Sequence, residues 1–173
     1  MWYDFPAMET VTPENRIRRV CFTGHRELPT VRSAAYSALV RNTDAAIRRA
    51  IDRGGRIFYC GGAEGFDLLC GKLVLQEAAR FRGIELVLLL PYTGFGEKFS
   101  EANRQELERQ KKAAQEVVYL SNHYFSGCMA IRNQQLVTEA DLCIAYLKTC
   151  PSGTAQTVGF ARQKGIEVVF IEE

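Results

Sequence analysis

Short, continuously apolar runs alternate along the chain with longer segments in which apolar residues recur every three or four positions. The apolar runs are typical of strands buried on both faces, and they predict strands near 17–23 and at 56–60, 84–90, 116–120, 141–147 and 167–171. The helical period predicts helices near 33–53, 66–80, 97–115, 128–140 and 154–164. Because parallel strands need a crossover, this order predicts an α/β protein: a Rossmann-like three-layer sandwich with a mainly parallel six-stranded sheet and helices on both faces.

The beginning of the chain differs from the rest. Residues 1–15 show neither period and contain Pro6 and Pro13, so they predict an irregular N-terminal arm. The 173 residues are 47% apolar and 24% charged, which is ordinary for a globular protein. We therefore expect one domain at 16–173, of a size that builds its own core.

Basic and acidic side chains nearly balance, with 22 Lys and Arg against 20 Asp and Glu. This balance argues against non-specific binding to nucleic acid or membranes, so nucleic acid is not the expected partner. No apolar run approaches the roughly 18–20 residues that cross a bilayer, and the N-terminus lacks a signal pattern. We expect a soluble cytoplasmic protein with no membrane partner, and the sequence leaves room for a homo-oligomer.

The six cysteines form no CxxC or CxxH pair, and several lie inside apolar runs. We therefore expect buried, reduced thiols rather than disulfides. His123 has no second His, Cys or acidic residue at metal-ligand spacing. The sequence predicts no metal site and no required cofactor.

Four loops follow predicted strands, and ligands in open α/β sheets bind beyond the carboxyl ends of strands, where the strand order reverses. These loops are "TGHR" (23–26), "GGAEGFD" (61–67), "PYTGF" (91–95) and "CPSGTAQT" (150–157). In two of these loops, "GGAEGFD" and "CPSGTAQT", glycines precede a predicted helix N-terminus, which favours the binding of an anion. Each of the two could instead use its glycines only for a tight turn. Neither "GGAEGFD" nor "SGTAQT" matches GxGxxG or GxxxxGK[ST], so a P-loop NTPase is not predicted.

Two acids near the second helix are the candidates for catalysis. Asp67 is either a first-turn acid stabilised by the helix dipole or a ligand of a ribose hydroxyl. Glu64 lies in the loop, where a carboxylate is mobile and reachable, so we prefer it as the ligand-binding or catalytic acid. Gly62→Val is expected to abolish ligand binding and to leave the fold intact.

Four further polar residues are candidates for the site, and two of them, His25 and Arg132, have a structural interpretation as well. Arg26 suits a phosphate, and His25 beside it is either functional or a hydrogen-bonded structural residue. Arg132 and Asn133 lie on the fourth predicted helix, where an arginine is more often solvent-exposed than a ligand. The aromatic side chains that could stack on a base, or fill the core, are Tyr92, Phe95, Phe99, Tyr124 and Phe125.

With these residues assembled, the chain resembles the SLOG superfamily, which includes the DNA-processing protein DprA and the LOG phosphoribohydrolases, and most of all its YpsA-like (DUF1273) branch. The resemblance covers about 17–171 and rests on "CFTGHR", "GGAEGFD", "GCMAIRNQQLV" and "SGTAQTVGFA", in that order. It implies a nucleotide or nucleotide-derived ligand, ADP-ribose or NAD-like. The residues that would bind it are Thr23, Gly24, His25, Arg26, Gly61, Gly62, Glu64, Gly65, Asp67, Arg132, Asn133, Ser152, Gly153 and Thr154.

Two departures from the superfamily bear on the reaction. Thr157 stands where LOG-type hydrolases carry a catalytic Glu, and Phe95 and Phe99 stand where the branch commonly has Gln and Trp. We therefore expect a nucleotide sensor or binding protein first. The alternatives are a hydrolase of an N-glycosidic bond and DprA-like binding of single-stranded DNA, which needs a basic groove with stacking aromatics.

Overall fold

The computed structural model describes residues 16–173 of the chain, and the arm predicted for 1–15 lies outside the described residues. Within them, six parallel strands form one sheet. The strands are β1 (Arg19–Gly24), β2 (Ile57–Cys60), β3 (Glu85–Leu90), β4 (Glu116–Tyr119), β5 (Leu142–Tyr146) and β6 (Glu167–Phe170). All six strands predicted from the apolar runs are confirmed.

Five helices connect these strands in strict alternation. They are α1 (Ala34–Asp52), α2 (Phe66–Ala78), α3 (Glu101–Ala113), α4 (Cys128–Glu139) and α5 (Gly153–Lys164). Serine hydroxyls accept backbone N–H groups at three helix starts, at Ser33, Ser100 and Ser152. The cap at Ser100 explains why α3 begins later than the predicted residue 97, because the preceding residues form turns.

The sheet separates two apolar clusters, which confirms the three-layer α/β sandwich. On one face Phe22 and Phe58 of the sheet pack in the same cluster as Ile47 of α1 and Phe66 of α2. The other cluster contains Cys21 and Cys143 of the sheet with Leu136 of α4 and Val158 of α5. Strands covered on both faces need apolar side chains at successive positions, as in β5, which is buried throughout.

The strand order is β4-β3-β2-β1-β5-β6, so the direction of winding reverses between β1 and β5. Val20 to Gly24 of β1 pair in register with Leu142 to Tyr146 of β5. The loop after β1 leads to α1 on one face, whereas the loop after β5 leads to α5 on the other. These diverging loops leave a crevice at the carboxyl ends of the two strands, which we call the switch point.

The cysteine prediction is correct for five of the six thiols. Cys21, Cys60, Cys70, Cys128 and Cys143 are buried and free, whereas Cys150 is exposed in the loop before α5. Burial raises the pKa of the Cys60 and Cys70 thiols well above the ordinary value, which keeps them protonated and unreactive. Within residues 16–173, no helix has the length and apolarity to cross a membrane, and no group of His, Cys, Asp and Glu could hold a metal ion.

Candidate functional site

A polar pocket of about 300 Å³ lies at the switch point. Its walls come from the end of β1, the start of α2, the first turns of α4 and the start of α5. The lining residues are Phe22, Thr23, Gly24, His25, Arg26, Ala63, Asp67, Met129, Arg132, Asn133, Ser152, Gly153 and Thr154. Ten of the fourteen residues expected to bind a ligand are therefore brought together here. They meet because the carboxyl ends of parallel strands lie at the same edge of the sheet.

The start of α5 contributes unused hydrogen-bond donors to this pocket. Ser152 Oγ accepts the N–H of Ala155 at 3.0 Å and donates to the Thr149 carbonyl at 2.9 Å, so its hydroxyl is occupied. The N–H groups of Gly153 and Thr154 have no acceptor among residues 16–173. A helix N-terminus with free N–H groups carries a partial positive charge, which favours an anion. We call residues 152–154 the α5 entrance.

Arg132 is buried, with 4% of its surface exposed, so the structure does not place it on a solvated helix face. Its Nε donates to Asn133 Oδ1 at 2.8 Å, and its Nη1 donates to the Gly61 carbonyl. The guanidinium carbon lies 5.9 Å from the centre of the Phe95 ring. Burial lowers the pKa of Arg132, and the nearby Asp67 carboxylate opposes that shift. The chain holds this cation against the inner wall of the pocket.

Asp67 is 6% exposed and lies in the first turn of α2. Its Oδ2 accepts the N–H of Ala63 at 3.3 Å. Burial raises the pKa of the carboxyl, while Arg132, this N–H and Arg26 act in the opposite direction. Of the two acids considered for catalysis, Asp67 is the one that lines the pocket.

Glu64 lies elsewhere. Its Oε1 accepts a hydrogen bond from Asn103 Nδ2 of α3 at 2.8 Å, and the residue does not line the switch-point pocket. The structure therefore places Asp67 in this pocket and Glu64, the preferred acid, outside it, and the role of either acid stays a prediction. The hydrogen bond from α3 holds in place a carboxylate that the sequence predicted to be mobile.

His25 has the structural role that the sequence left open. Its Nε2 accepts the backbone N–H groups of Lys148 and Thr149 at 2.8 and 3.2 Å. A nitrogen that accepts cannot carry a proton, so these bonds fix the tautomer protonated on Nδ1. His25 thereby ties the loop after β5 to the end of β1. Arg26 is exposed at the same pocket and has no hydrogen bond or ion pair within the described part of the chain.

The glycines of residues 61–65, which we call the β2 loop, serve packing. A Cβ at Gly62, where φ is +68°, would lie 2.6 Å from Leu90 Cδ2 and 3.2 Å from Leu107 Cδ1. At Gly61 and Gly65 a Cβ would overlap the Arg132 side chain and the Arg26 backbone. The expectation that Gly62→Val leaves the fold intact is therefore wrong, because a valine has no room there. Gly61, Gly62, Glu64 and Gly65 do not line the pocket.

Four of the five aromatic residues considered for stacking on a base contact one another instead. Phe95 is buried and contacts Phe99 and Tyr92 with ring centres 5.3 and 5.6 Å apart, and Tyr92 contacts Tyr124. None of these rings lines the switch-point pocket. The apolar walls are instead formed by Phe22 and Met129.

Sequence reasoning missed Phe22, Ala63 and Met129. Met129 lies three positions before Arg132 on α4, so helical spacing places both on one face and is the signal that could have found it. Ala63 lies between two residues of the same motif. Phe22 had no comparable signal, because an apolar residue in a strand predicts only a core position.

Comparison with known proteins agrees with this architecture. The sequence profile of the YspA SLOG family (YpsA) matches residues 20–162. A comparison with curated proteins found no match.

Three solved structures share the fold. DNA processing protein A from Streptococcus pneumoniae is 15% identical, with a TM-score of 0.59 over 88% of this chain and 50% of that one. DNA processing protein A from Helicobacter pylori, described for its single-stranded DNA binding mode, is 14% identical, with a TM-score of 0.61 over 98% and 78%. TM1055 is 19% identical, with a TM-score of 0.55 over 87% and 72%. The chain thus spans about half the length of the Streptococcus protein.

Proposed function

The chain belongs to the YspA SLOG family, and we propose that it binds a nucleotide-derived small molecule of the ADP-ribose or NAD type in the switch-point pocket, as a sensor or binding protein. The observation that carries the proposal is a convergence of unused donors. The N–H groups of Gly153 and Thr154 and the guanidinium of Arg26 line one pocket and have no acceptor among residues 16–173.

These donors suit a phosphate group. Arginine binds phosphate through two parallel N–H bonds, and free N–H groups at a helix start add to the field at the same point. Each such contact is worth only about 0.3–1 kcal/mol when exposed, so several must act together. The pocket provides that combination, and its volume of about 300 Å³ lies at the lower end of those of small-molecule sites.

The pocket supports binding more than hydrolysis. Glycoside hydrolysis uses two carboxyl groups, whereas Asp67 is the single carboxylate among the residues that line the pocket. Thr157, at the position of the catalytic Glu of LOG-type hydrolases, is buried and donates to the Gly153 carbonyl at 2.9 Å. Because Asp67 lines the pocket, hydrolysis of the ligand is the second candidate function, and measuring product formation tests it.

Single-stranded DNA is a separate alternative, supported by the fold shared with a DNA processing protein whose DNA binding is described. Binding through phosphates loses affinity steeply with salt, because counterions are released. A pocket of this kind suits a single phosphate group better than the row of phosphates along a DNA strand. An oligonucleotide at low and at physiological salt is therefore one arm of the experiment.

The test is thermal unfolding of the protein with ADP-ribose, NAD, AMP or an oligonucleotide. A ligand at about 100 times its dissociation constant adds roughly 2.7 kcal/mol of stability, or about 5–11 °C in Tm for a chain of this size. Arg26→Ala should reduce that shift. Arg82→Ala is the matched control, since Arg82 is exposed and lies outside the pocket.

Three outcomes decide the matter. A shift with a nucleotide that Arg26→Ala reduces and Arg82→Ala leaves unchanged supports the proposal. A shift with the oligonucleotide alone, strongest at low salt, favours DNA binding instead. No shift with any nucleotide contradicts the proposal.

A further inference from the structure

We propose that Asp67 and Arg132 recognise the sugar hydroxyls of the ligand, so that the pocket selects ribosyl over deoxyribosyl nucleotides. The inference rests on the proposed function and adds a substrate class to it. It is carried by two buried, charged side chains that line the pocket and keep unused hydrogen-bonding atoms.

The first is Asp67. Its Oδ2 is held by the Ala63 N–H, whereas Oδ1 has no partner among residues 16–173. In the described part of the chain, two fully enclosed side-chain atoms lack a hydrogen-bond partner, Glu77 Oε2 and Gln110 Oε1. Asp67 Oδ1 is not one of them, so it is not fully enclosed. Oδ1 is therefore reachable from the pocket. The accessible Oδ1 of an otherwise buried carboxylate is an acceptor for a ligand group that donates a hydrogen bond.

The second is Arg132, on the same side of the pocket. Its Nε and Nη1 are engaged by Asn133 and Gly61, while Nη2 has no acceptor in the described part of the chain. Both Arg132 Nη1 and Asp67 Oδ2 approach the point where Gly61 would carry a Cβ, yet the two side chains form no ion pair. The two charged side chains thus lie beside each other without an ion pair, and each keeps one atom, Asp67 Oδ1 and Arg132 Nη2, that has no partner among residues 16–173.

Two adjacent hydroxyls complement this pair. One hydroxyl can donate to the Asp67 carboxylate while its neighbour accepts from the Arg132 guanidinium. The edge of a base could also donate and accept, but the sugar is the group next to the phosphate. With the donors of Arg26 and Gly153 in the same pocket of about 300 Å³, the sugar is the part of the ligand within reach of Asp67.

A purely structural Asp67 would stabilise the helix start, but burial outweighs that benefit. Its pKa is raised despite Arg132, Arg26 and the Ala63 N–H, which are the charged and donor groups that face it. The cost of the ionised carboxylate is absent below the pKa of the unfolded chain, about 3.9, and grows as the pH rises through the raised folded pKa. A group that destabilises the fold at neutral pH is typical of a functional site.

The experiment compares ADP with 2′-deoxy-ADP and 3′-deoxy-ADP, by calorimetry, on the full chain and on Asp67→Asn. The wild-type protein should bind ADP at least tenfold more tightly than one of the deoxy compounds, because a site built for a hydroxyl leaves buried groups unpaired without it. Asp67→Asn should bind all three with similar, weaker affinity. Glu64→Gln, a carboxylate change outside the pocket, should keep the preference.

A second readout separates recognition from structure. Relative to the wild type, Asp67→Asn should become more stable as the pH is raised from 4 to 7, because only the wild type then has to ionise a buried carboxyl whose pKa is raised. Equal binding of ADP and both deoxy compounds by the wild type overturns the inference and leaves the proposed function standing. A preference that survives in Asp67→Asn also overturns it, whereas no binding of any compound overturns the proposed function itself.

Discussion

The β2 loop and the α5 entrance are built from the same elements of sequence, yet the structure uses them differently. Each follows a buried strand, contains glycine and leads directly into a helix. The glycines of the β2 loop are closely packed, so a Cβ at Gly62 would meet Leu90 and Leu107. At the α5 entrance, a Cβ at Gly153 would meet only Asn133 Nδ2, at 3.9 Å. The glycines of the β2 loop pack against the core and only Ala63 lines the pocket, whereas all three residues of the α5 entrance line it.

Their hydrogen bonds differ in the same way. In and beside the β2 loop, the N–H of Phe66 donates to the His25 carbonyl at 3.1 Å, and that of Ala63 donates to Asp67 at 3.3 Å. The N–H groups of Gly153 and Thr154 have no such acceptor among residues 16–173. A glycine before a helix therefore indicates an anion site where the free N–H groups of the helix start also line an open pocket.

The position of each loop in the sheet explains the difference. β2 lies between β1 and β3, so its loop is covered by the turn after β3 and by α3. β5 lies beyond the reversal of strand order, where neighbouring loops diverge to opposite faces. Strand order thus explains why the β2 loop is closely packed and why the α5 entrance lines an open pocket.

The same substitution in both regions sharpens the comparison, and the larger effect is expected in the β2 loop. Gly65→Ala should lower the free energy of unfolding by about 3 kcal/mol, because a side chain is strained at φ 82° and ψ −122° and its Cβ overlaps the Arg26 backbone. Urea unfolding followed by circular dichroism measures this loss. A variant as stable as the wild type would show that the loop is not closely packed.

Gly153→Ala is the matched change at the α5 entrance. It should change the free energy of unfolding by less than about 1 kcal/mol, since alanine suits a helix and the Cβ has room. The added methyl group stands at the pocket wall, so the affinity for ADP-ribose should fall about tenfold, or 1.4 kcal/mol. The same urea series, with calorimetric titration, checks both. A large loss of stability with unchanged affinity would reverse the roles of the two loops.

The fold could be predicted because its signals are local. Each apolar run is long enough for one buried strand, and glycine or serine marks most helix starts, so element order and type follow from the sequence. The convergence of residues such as Arg26, Asp67 and Ser152 was also predictable, because strand ends in a parallel sheet share one edge.

The role of each side chain within that edge was not predictable, because it depends on contacts between distant parts of the chain. His25 accepts from Lys148, 123 positions away, and Glu64 meets Asn103, 39 positions away. Arg132 is buried because Gly61 leaves space for it, which no pattern on α4 reveals. Sequence periodicity indicates which face a residue occupies but not which partner it finds there.

Glu64→Gln is the smallest change in the comparison. Glu64 makes one partly buried hydrogen bond, from Asn103 Nδ2 at 2.8 Å, and a glutamine Oε1 can accept the same bond. The free energy of unfolding should therefore change by less than about 0.5 kcal/mol, as is usual for substitutions that break no packing. The affinity for ADP-ribose should stay within twofold of the wild type, measured by the titration used for Gly153→Ala. A tenfold weaker affinity would bring the β2 loop back into the site, and the packing of its glycines would then serve to hold this carboxylate toward a ligand.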